Sequence, residues 1–104
     1  MKGVLLKFYT TELRKHDGMP VYDWLLEQAR KMGIAGGSEF RAICGYGRHG
    51  LHKEHFFELG DLQIEVEFLM TDDDSARFLQ LLETEKLSIF YVKMVADFGV
   101  TGGP

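Results

Sequence analysis

The chain of 104 residues contains 45% hydrophobic and 27% charged residues and carries a formal net charge of −4 at pH 7. This length accommodates one domain with a single core, and the composition is that of a globular protein rather than a disordered, collagen-like or coiled-coil chain. The negative charge argues against general nucleic-acid binding, which depends on neutralising phosphates with basic side chains.

The first half of the chain predicts a strand, a helix and a second strand. In residues 3–10 an apolar side chain occurs at every second position, and this period of two is typical of a strand. Pro20 suits the first position of a helix, and the apolar spacing that follows predicts a helix of about 13 residues ending at Gly33 in a left-handed cap. The period of two returns from Ser38 to Cys44 and predicts the second strand.

The second half repeats this order. Residues 62–70 show the clearest alternation of apolar and polar side chains and predict a third strand. A second helix should begin within residues 71–74, because Thr-Asp-Asp-Asp supplies a cap and negative charge for a helix N-terminus. The last predicted strand covers residues 89–96. We expect one domain over residues 1–98 and a flexible tail over residues 99–104.

The order βαββαβ is most often that of the ferredoxin-like sandwich, an α+β fold with a four-stranded antiparallel sheet and two helices on one face. In that topology the first two strands run in one direction and the last two in the other. Three connections should therefore emerge at one end of the sheet, which we call the loop end. They are residues 10–19, 45–60 and 83–88.

Both faces of the expected sheet carry apolar side chains. The face expected under the helices consists of Val4, Leu6, Phe8, Phe40, Ala42, Leu62, Ile64, Val66, Phe68, Phe90, Val92 and Met94. The opposite face, which we call the open face, would carry the apolar Leu5, Tyr9, Ile43, Leu69, Ile89, Tyr91 and Val95 and the charged Lys7, Arg41, Glu65, Glu67 and Lys93. Apolar surface mixed with charges that can pair favours a closed homo-oligomer over a monomer with scattered apolar groups.

The connection 45–60 is long for a hairpin loop and contains a Gly-Tyr-Gly-Arg segment. Gly45 and Gly47 allow backbone N–H groups to face an anion, and the planar guanidinium of Arg48 suits a phosphate. The same residues are compatible with a flexible turn that leaves a strand.

Basic side chains from the other two connections should reach the same end of the sheet. Arg14 and His16 belong to the first connection and Lys86 to the third. Together with the glycine-rich segment they form a candidate site for a small anion.

The sequence resembles the PII signalling superfamily in three features. These are the βαββαβ order, the segment Asp17-Gly18-Met19-Pro20 before the first helix, and the segment Gly45-Tyr46-Gly47-Arg48-His49-Gly50. The resemblance is to its small PII-like branch of proteins of unknown function and spans residues 3–98. It implies a homotrimer that binds a small effector, often an adenine nucleotide such as ATP, ADP or AMP, in clefts between subunits.

The resemblance also implies that the residues after Gly45 open a mobile loop that docks on a protein partner, for which a transporter is one candidate. His49, His52 and Lys53 are the expected partner-facing residues of this loop. The resulting expectation is a regulatory protein that is not an enzyme.

Two alternative functions remain open, and a third, RNA binding, is excluded by the residues of the third strand. His49, His52 and His55 are spaced by three and could make the protein a metal-responsive trimer, although no acidic or cysteine ligand completes the set. An enzyme acting on phosphate esters or anhydrides would need a glycine-rich cradle around Arg14, which the sequence lacks. An RNA-binding domain would need aromatic side chains on its third strand, where the chain has Gln63 and two glutamates.

The sequence also bounds the location of the protein. No apolar run approaches the roughly 18 residues of a membrane-spanning helix, and the N-terminus lacks the apolar core of a signal peptide. We therefore expect a cytoplasmic protein without membrane insertion. The single cysteine, Cys44, cannot form an internal disulfide, so packing and partners must stabilise the fold.

Overall fold

A computed structural model of the chain describes residues 1–42, 46–47, 50–51 and 62–102. Its elements, in chain order, are β1 (Lys2–Thr11), β2 (Lys15–His16), β3 (Met19–Pro20), α1 (Val21–Lys31), β4 (Gly37–Arg41), β5 (Tyr46–Gly47), β6 (Gly50–Leu51), β7 (Gln63–Met70), α2 (Asp72–Thr84) and β8 (Phe90–Asp97). Neither described helix is long and apolar enough to cross a membrane.

The main sheet has four antiparallel strands in the order β4-β7-β1-β8. The helices α1 and α2 pack on one face of it, and β2–β3 and β5–β6 form two short hairpins. This arrangement confirms the ferredoxin-like α+β fold that the sequence predicts.

The core lies between the central strands and the helices. The inward residues of β1 and β7 are almost fully buried, as their period of two predicts, and α1 adds Val21, Trp24, Leu25 and Ala29. At the centre, the rings of Phe8 and Phe68 have centroids 6.2 Å apart, and Phe78 of α2 lies 5.6 Å from the first and 5.5 Å from the second. Burial of such side chains is the main source of stability available to a chain without disulfides.

The predicted facing of the edge strand β8 is wrong. Its register places Tyr91 opposite Phe8 and Lys93 opposite Leu6, so these residues lie on the helix side, where Lys93 Nζ is 3.0 Å from Asp72 Oδ1. The other set, Phe90, Val92 and Met94, lies on the open face. Both sets contain apolar side chains, so alternation alone could not decide between them.

The facing of the edge strand β4 is likewise reversed. Phe40 lies opposite Glu65 on the open face, whereas Arg41 lies on the helix side with its guanidinium 5.9 Å from the centre of the Tyr22 ring. All five residues of β4 are exposed, so this strand buries little apolar surface in either orientation.

Both helices end in the same backbone motif. After α1, Gly33 N–H bonds to the Arg30 carbonyl and Ile34 N–H to the Ala29 carbonyl; the φ of Gly33 is 82°, which confirms the predicted left-handed cap. After α2 the same two bonds run from Lys86 to Glu83 and from Leu87 to Leu82. Here a lysine occupies the left-handed position, with a φ of 56°.

The helix starts differ from each other. Thr71 Oγ1 accepts a hydrogen bond of 3.1 Å from Asp74 N–H, which confirms the predicted cap of α2. Pro20 lies one position earlier than predicted, at the N-cap of α1, because its ψ of 140° keeps it extended.

We predict opposite stability effects for two substitutions at these matched positions. Lys86→Gly should raise the free energy of unfolding by about 0.5–1 kcal/mol, because glycine adopts a positive φ without steric cost. Gly33→Lys should lower it by a similar amount, since open space surrounds Gly33 and only backbone strain is introduced. Urea unfolding of both variants measures the effects, and a loss of stability in Lys86→Gly would contradict this account.

Candidate functional site

The pairing of β1 brings the connections together as predicted. Thr11 lies opposite Gln63 at the start of β7, and Tyr9 lies opposite Phe90 at the start of β8. Glu12 N–H also bonds to the Leu62 carbonyl at 2.7 Å. The end of β1 and the starts of β7 and β8 therefore meet at the loop end.

The first connection contains a tight hairpin. Lys15 pairs with Pro20 and His16 with Met19, leaving a two-residue turn in which φ is 51° at Asp17 and 80° at Gly18. Two positive φ values and an Asp-Gly pair are typical of a type I′ turn. This turn fixes the backbone positions from which the His16 and Asp17 side chains extend.

Arg14 joins the first connection to the third. Its Nη2 donates a hydrogen bond to the main-chain carbonyl of Ser88, and its own carbonyl accepts a 2.9 Å bond from Val21 N–H. Within the described part of the chain, Arg14 forms no ion pair with a carboxylate. The described residues therefore leave its positive charge unneutralised.

His16 makes the second link between the same two connections. Its Nε2 lies 2.9 Å from Glu85 Oε1 and 3.7 Å from Asp17 Oδ2. The imidazole stands edge-on to the Trp24 ring, with centroids 4.8 Å apart and planes at 80°, and its side chain is only 17% exposed. One ring nitrogen of His16 and one carboxylate oxygen each of Asp17 and Glu85 lie within 4.8 Å of one another.

Lys86 follows Glu85 directly and is exposed at the end of α2. Like Arg14, it has no carboxylate partner among the described residues. The loop end thus holds two cations that the described residues do not neutralise, and a separate group of one imidazole and two carboxylates.

Of the residues predicted to bind an anion, Arg14, His16 and Lys86 are brought to the loop end, and His16 faces carboxylates there. Gly47 lies in β5, where it pairs with Gly50. The predicted site residues that lie outside the described residues are Gly45, Arg48, His49, His52 and Lys53.

Sequence reasoning missed Asp17 and Glu85 as members of a cluster. The Asp-Gly pair was a signal for a two-residue hairpin, which would have placed Asp17 beside His16. Nothing in the sequence connects Glu85 with His16, because the two residues are 69 positions apart.

The open face carries a charged group surrounded by apolar side chains. Lys7 Nζ lies 3.4 Å from Glu65 Oε1 and 3.6 Å from Glu67 Oε2. The hydrogen bond that protonated Glu67 donates to Glu65, followed by partial burial, raises the pKa of Glu67, while Lys7 opposes this shift. Around this group the exposed apolar side chains on the face are Phe40, Leu69, Phe90 and Met94.

The pKa of Glu67 predicts a pH dependence of stability. Because this pKa is higher in the folded state, Glu67 contributes stability that is present below its unfolded pKa and lost as pH rises through its folded pKa. Glu67→Gln should therefore gain stability relative to the unsubstituted protein as pH rises from about 3 to about 7.

Glu27 provides the control for this prediction. The hydrogen bond from Arg30 lowers the pKa of Glu27, so its contribution is present above its unfolded pKa and lost as pH falls. Glu27→Gln should thus lose relative stability as pH rises over the same range. Denaturant unfolding of both variants across this range tests the pair, and slopes of equal sign would contradict the assignment.

The sequence matches a known family model and curated relatives. Residues 3–93 match the DUF190 model, described as Uncharacterized ACR, COG1993. A UPF0166 protein of Aquifex aeolicus is 32% identical over 102 residues, covering 88% of this chain and 97% of that protein. A UPF0166 protein of Methanocaldococcus jannaschii is 29% identical over 83 residues, covering 79% of this chain and 77% of that protein.

The fold is similar to solved PII-like structures. One is CPII, a nitrogen regulatory PII-like protein from Thiomonas intermedia K12 bound to ADP, AMP and bicarbonate, with a TM-score of 0.63, 15% identity, and coverage of 100% of this chain and 97% of that chain. Another is CPII from the same organism bound to ADP and bicarbonate, with a TM-score of 0.61, 19% identity, and coverage of 96% and 89%. At these identities the likeness establishes the fold.

Proposed function

The chain belongs to the DUF190 family and has a PII-like fold, and from this premise we propose that it is a regulatory protein rather than an enzyme. Its effector is a small anion, an adenine nucleotide, bound at the loop end. The observation that carries this proposal is that Arg14 and Lys86, from two connections that Arg14 joins through the Ser88 carbonyl, are cations that the described residues leave unneutralised.

Arg14 and Lys86 suit different parts of such a ligand. A guanidinium presents several N–H donors in one plane and binds phosphate oxygens through two of them, whereas the ammonium of Lys86 acts as a point charge. Gly45, Gly47 and Arg48 of the second connection complete the site in this proposal, with backbone N–H groups on the phosphates. The adenine nucleotides in the CPII structures support this choice of ligand.

The proposal includes a homotrimer formed through the open face. Phe40, Leu69, Phe90 and Met94 are each 44–58% exposed there, and Lys7 lies between two glutamates among them. Burying this surface against other copies removes apolar area from water, and closed symmetry lets each copy do so equally. Clefts between the copies would then border the loop end.

The connection 45–60 is the partner-binding segment in this proposal. A nucleotide that contacts Gly45, Gly47 and Arg48 would order the chain that carries His49, His52 and Lys53, and so change the surface offered to a protein partner, for example a transporter. The output of the protein is then a change in binding rather than a chemical reaction.

Calorimetry with ATP, ADP and AMP tests the nucleotide. We expect heat of binding from at least one of them, and we expect Lys86→Gly to weaken that binding by about tenfold or more, since a charge-assisted hydrogen bond contributes about 1.5–3 kcal/mol. Because Lys86→Gly should also stabilise the fold, weaker binding in this variant cannot be attributed to unfolding. Arg30→Gln, a change of a basic side chain in the last turn of α1, is the control. No heat from the folded protein with any of the three nucleotides would remove the nucleotide from the proposal.

Sedimentation tests the trimer and the interface. We expect the unsubstituted protein to sediment as a trimer and Phe90→Glu to sediment as a monomer, because this change buries a charge in the proposed interface. Val95→Glu is the matched control: Val95 lies in the same strand and is 89% exposed, but on the helix side. A monomeric unsubstituted protein, or equal dissociation in both variants, would contradict the proposed interface.

A further inference from the structure

The cluster of His16, Asp17 and Glu85 at the loop end has a chemistry that anion binding does not use. Two carboxylates approach the same imidazole nitrogen, at 2.9 Å from Glu85 and 3.7 Å from Asp17. We propose that these three residues bind a divalent transition-metal ion of the class of Zn²⁺ or Ni²⁺. This site contains neither Arg14 nor Lys86, so it goes beyond the proposed function and does not depend on it.

The distances between the ligand atoms suit a small divalent ion. Such ions bind imidazole nitrogen and carboxylate oxygen at about 2.0–2.2 Å, which places two ligands of a tetrahedral site about 3.4 Å apart. The two distances from His16 Nε2 lie on either side of this value, and all three atoms lie within 4.8 Å of one another. The Asp17 side chain is 68% exposed, so rotation of its carboxylate is free to close the remaining gap.

The charges of the three ligands also favour a cation. A neutral imidazole and two carboxylates sum to a charge of −2, which a divalent ion neutralises. An ordinary ion pair needs only one carboxylate for the imidazole, and a second one near the same nitrogen repels the first. A metal ion would take the place of the proton with which His16 Nε2 bonds to Glu85 and would attract both carboxylates at once.

The backbone holds the three ligands in place before any ion binds. The His16 side chain is largely buried against Trp24, the backbone of Asp17 is held by the Asp-Gly turn, and Glu85 lies at the C-cap of α2. Imidazole together with carboxylate oxygen suits Zn²⁺, Ni²⁺ and Co²⁺ better than Ca²⁺, which takes six or more oxygens. Open coordination positions would be filled by water.

Trp24 provides a local signal for this site. It is the one tryptophan of the chain, and its ring lies 4.8 Å from the His16 ring, centre to centre. Ni²⁺ is paramagnetic and should quench Trp24 fluorescence in a saturable manner. Zn²⁺, which has a filled d shell, should displace Ni²⁺ and restore the fluorescence. Either ion should raise Tm, because it binds the folded state and joins two connections that are distant in sequence.

Two variants remove ligands without disturbing the fold. Asp17→Asn retains a two-residue turn of the most favoured type, since Asn-Gly pairs form type I′ turns readily, and Glu85→Gln retains the size of the side chain. Both should abolish the saturable quenching and the rise in Tm. The triple variant His49→Ala, His52→Ala and His55→Ala should retain both effects, because those histidines belong to the connection 45–60 and not to this cluster.

The outcomes separate this site from its alternatives. Quenching that is lost in the triple variant but retained in Glu85→Gln would overturn the proposal and assign the metal to the loop histidines. Quenching that never saturates, or that is equal in all variants, would show that the ion quenches Trp24 without binding at this cluster and would overturn the proposal. Nucleotide calorimetry on Glu85→Gln tells the two proposals apart, since loss of metal binding with nucleotide binding retained would leave the proposed function intact.

Discussion

The antiparallel pairing of β1 with β7 on one side and with β8 on the other determines where the rest of the structure lies. The inward side chains of β1 are at most 5% exposed, so a shift of one residue would expose Leu6 and Phe8 and bury Lys7. This penalty fixes the register. With the register fixed, the end of β1 and the starts of its two neighbours must meet, and the loop end follows.

The loop end combines two kinds of charge. Arg14 and Lys86 are basic and lie beside connections that could surround an anion, whereas His16, Asp17 and Glu85 form a group suited to a cation. Each group takes residues from both the first and the third connection. Residues 69 or more positions apart in the chain therefore contribute to a single surface, and any ligand that binds there would link the two halves of the domain.

The left-handed backbone at Lys86 lies next to this surface. The equivalent position after α1 is Gly33, which adopts the same conformation at no steric cost. A lysine in this strained conformation places an exposed basic side chain directly after Glu85. Strain of this kind occurs often at binding sites, where the surrounding structure holds a residue in a sparsely populated conformation.

The pattern of the chain alone predicts the four strands of the main sheet, the two helices, the fold class and the facing of the central strands. Polar and apolar side chains alternate in β7 from Gln63 to Phe68, and only one facing of β1 and β7 leaves Lys7, Glu65 and Glu67 in contact with water. Gly33 likewise indicates a helix end, because glycine readily adopts the left-handed conformation of a C-terminal cap. Thr71 indicates a helix start, because its side chain accepts a hydrogen bond from a free backbone N–H of the first turn.

The facing of the edge strands and the membership of the cluster depend instead on tertiary packing. In β8 both sets of side chains contain large apolar groups, and β4 is exposed on both sides, so their facing depends on pairing with β1 and β7 rather than on their own pattern. Glu85 joins His16 because α2 ends where the first hairpin turns. A contact between residues so distant in the chain follows from the packing of the elements and has no local signal in the sequence.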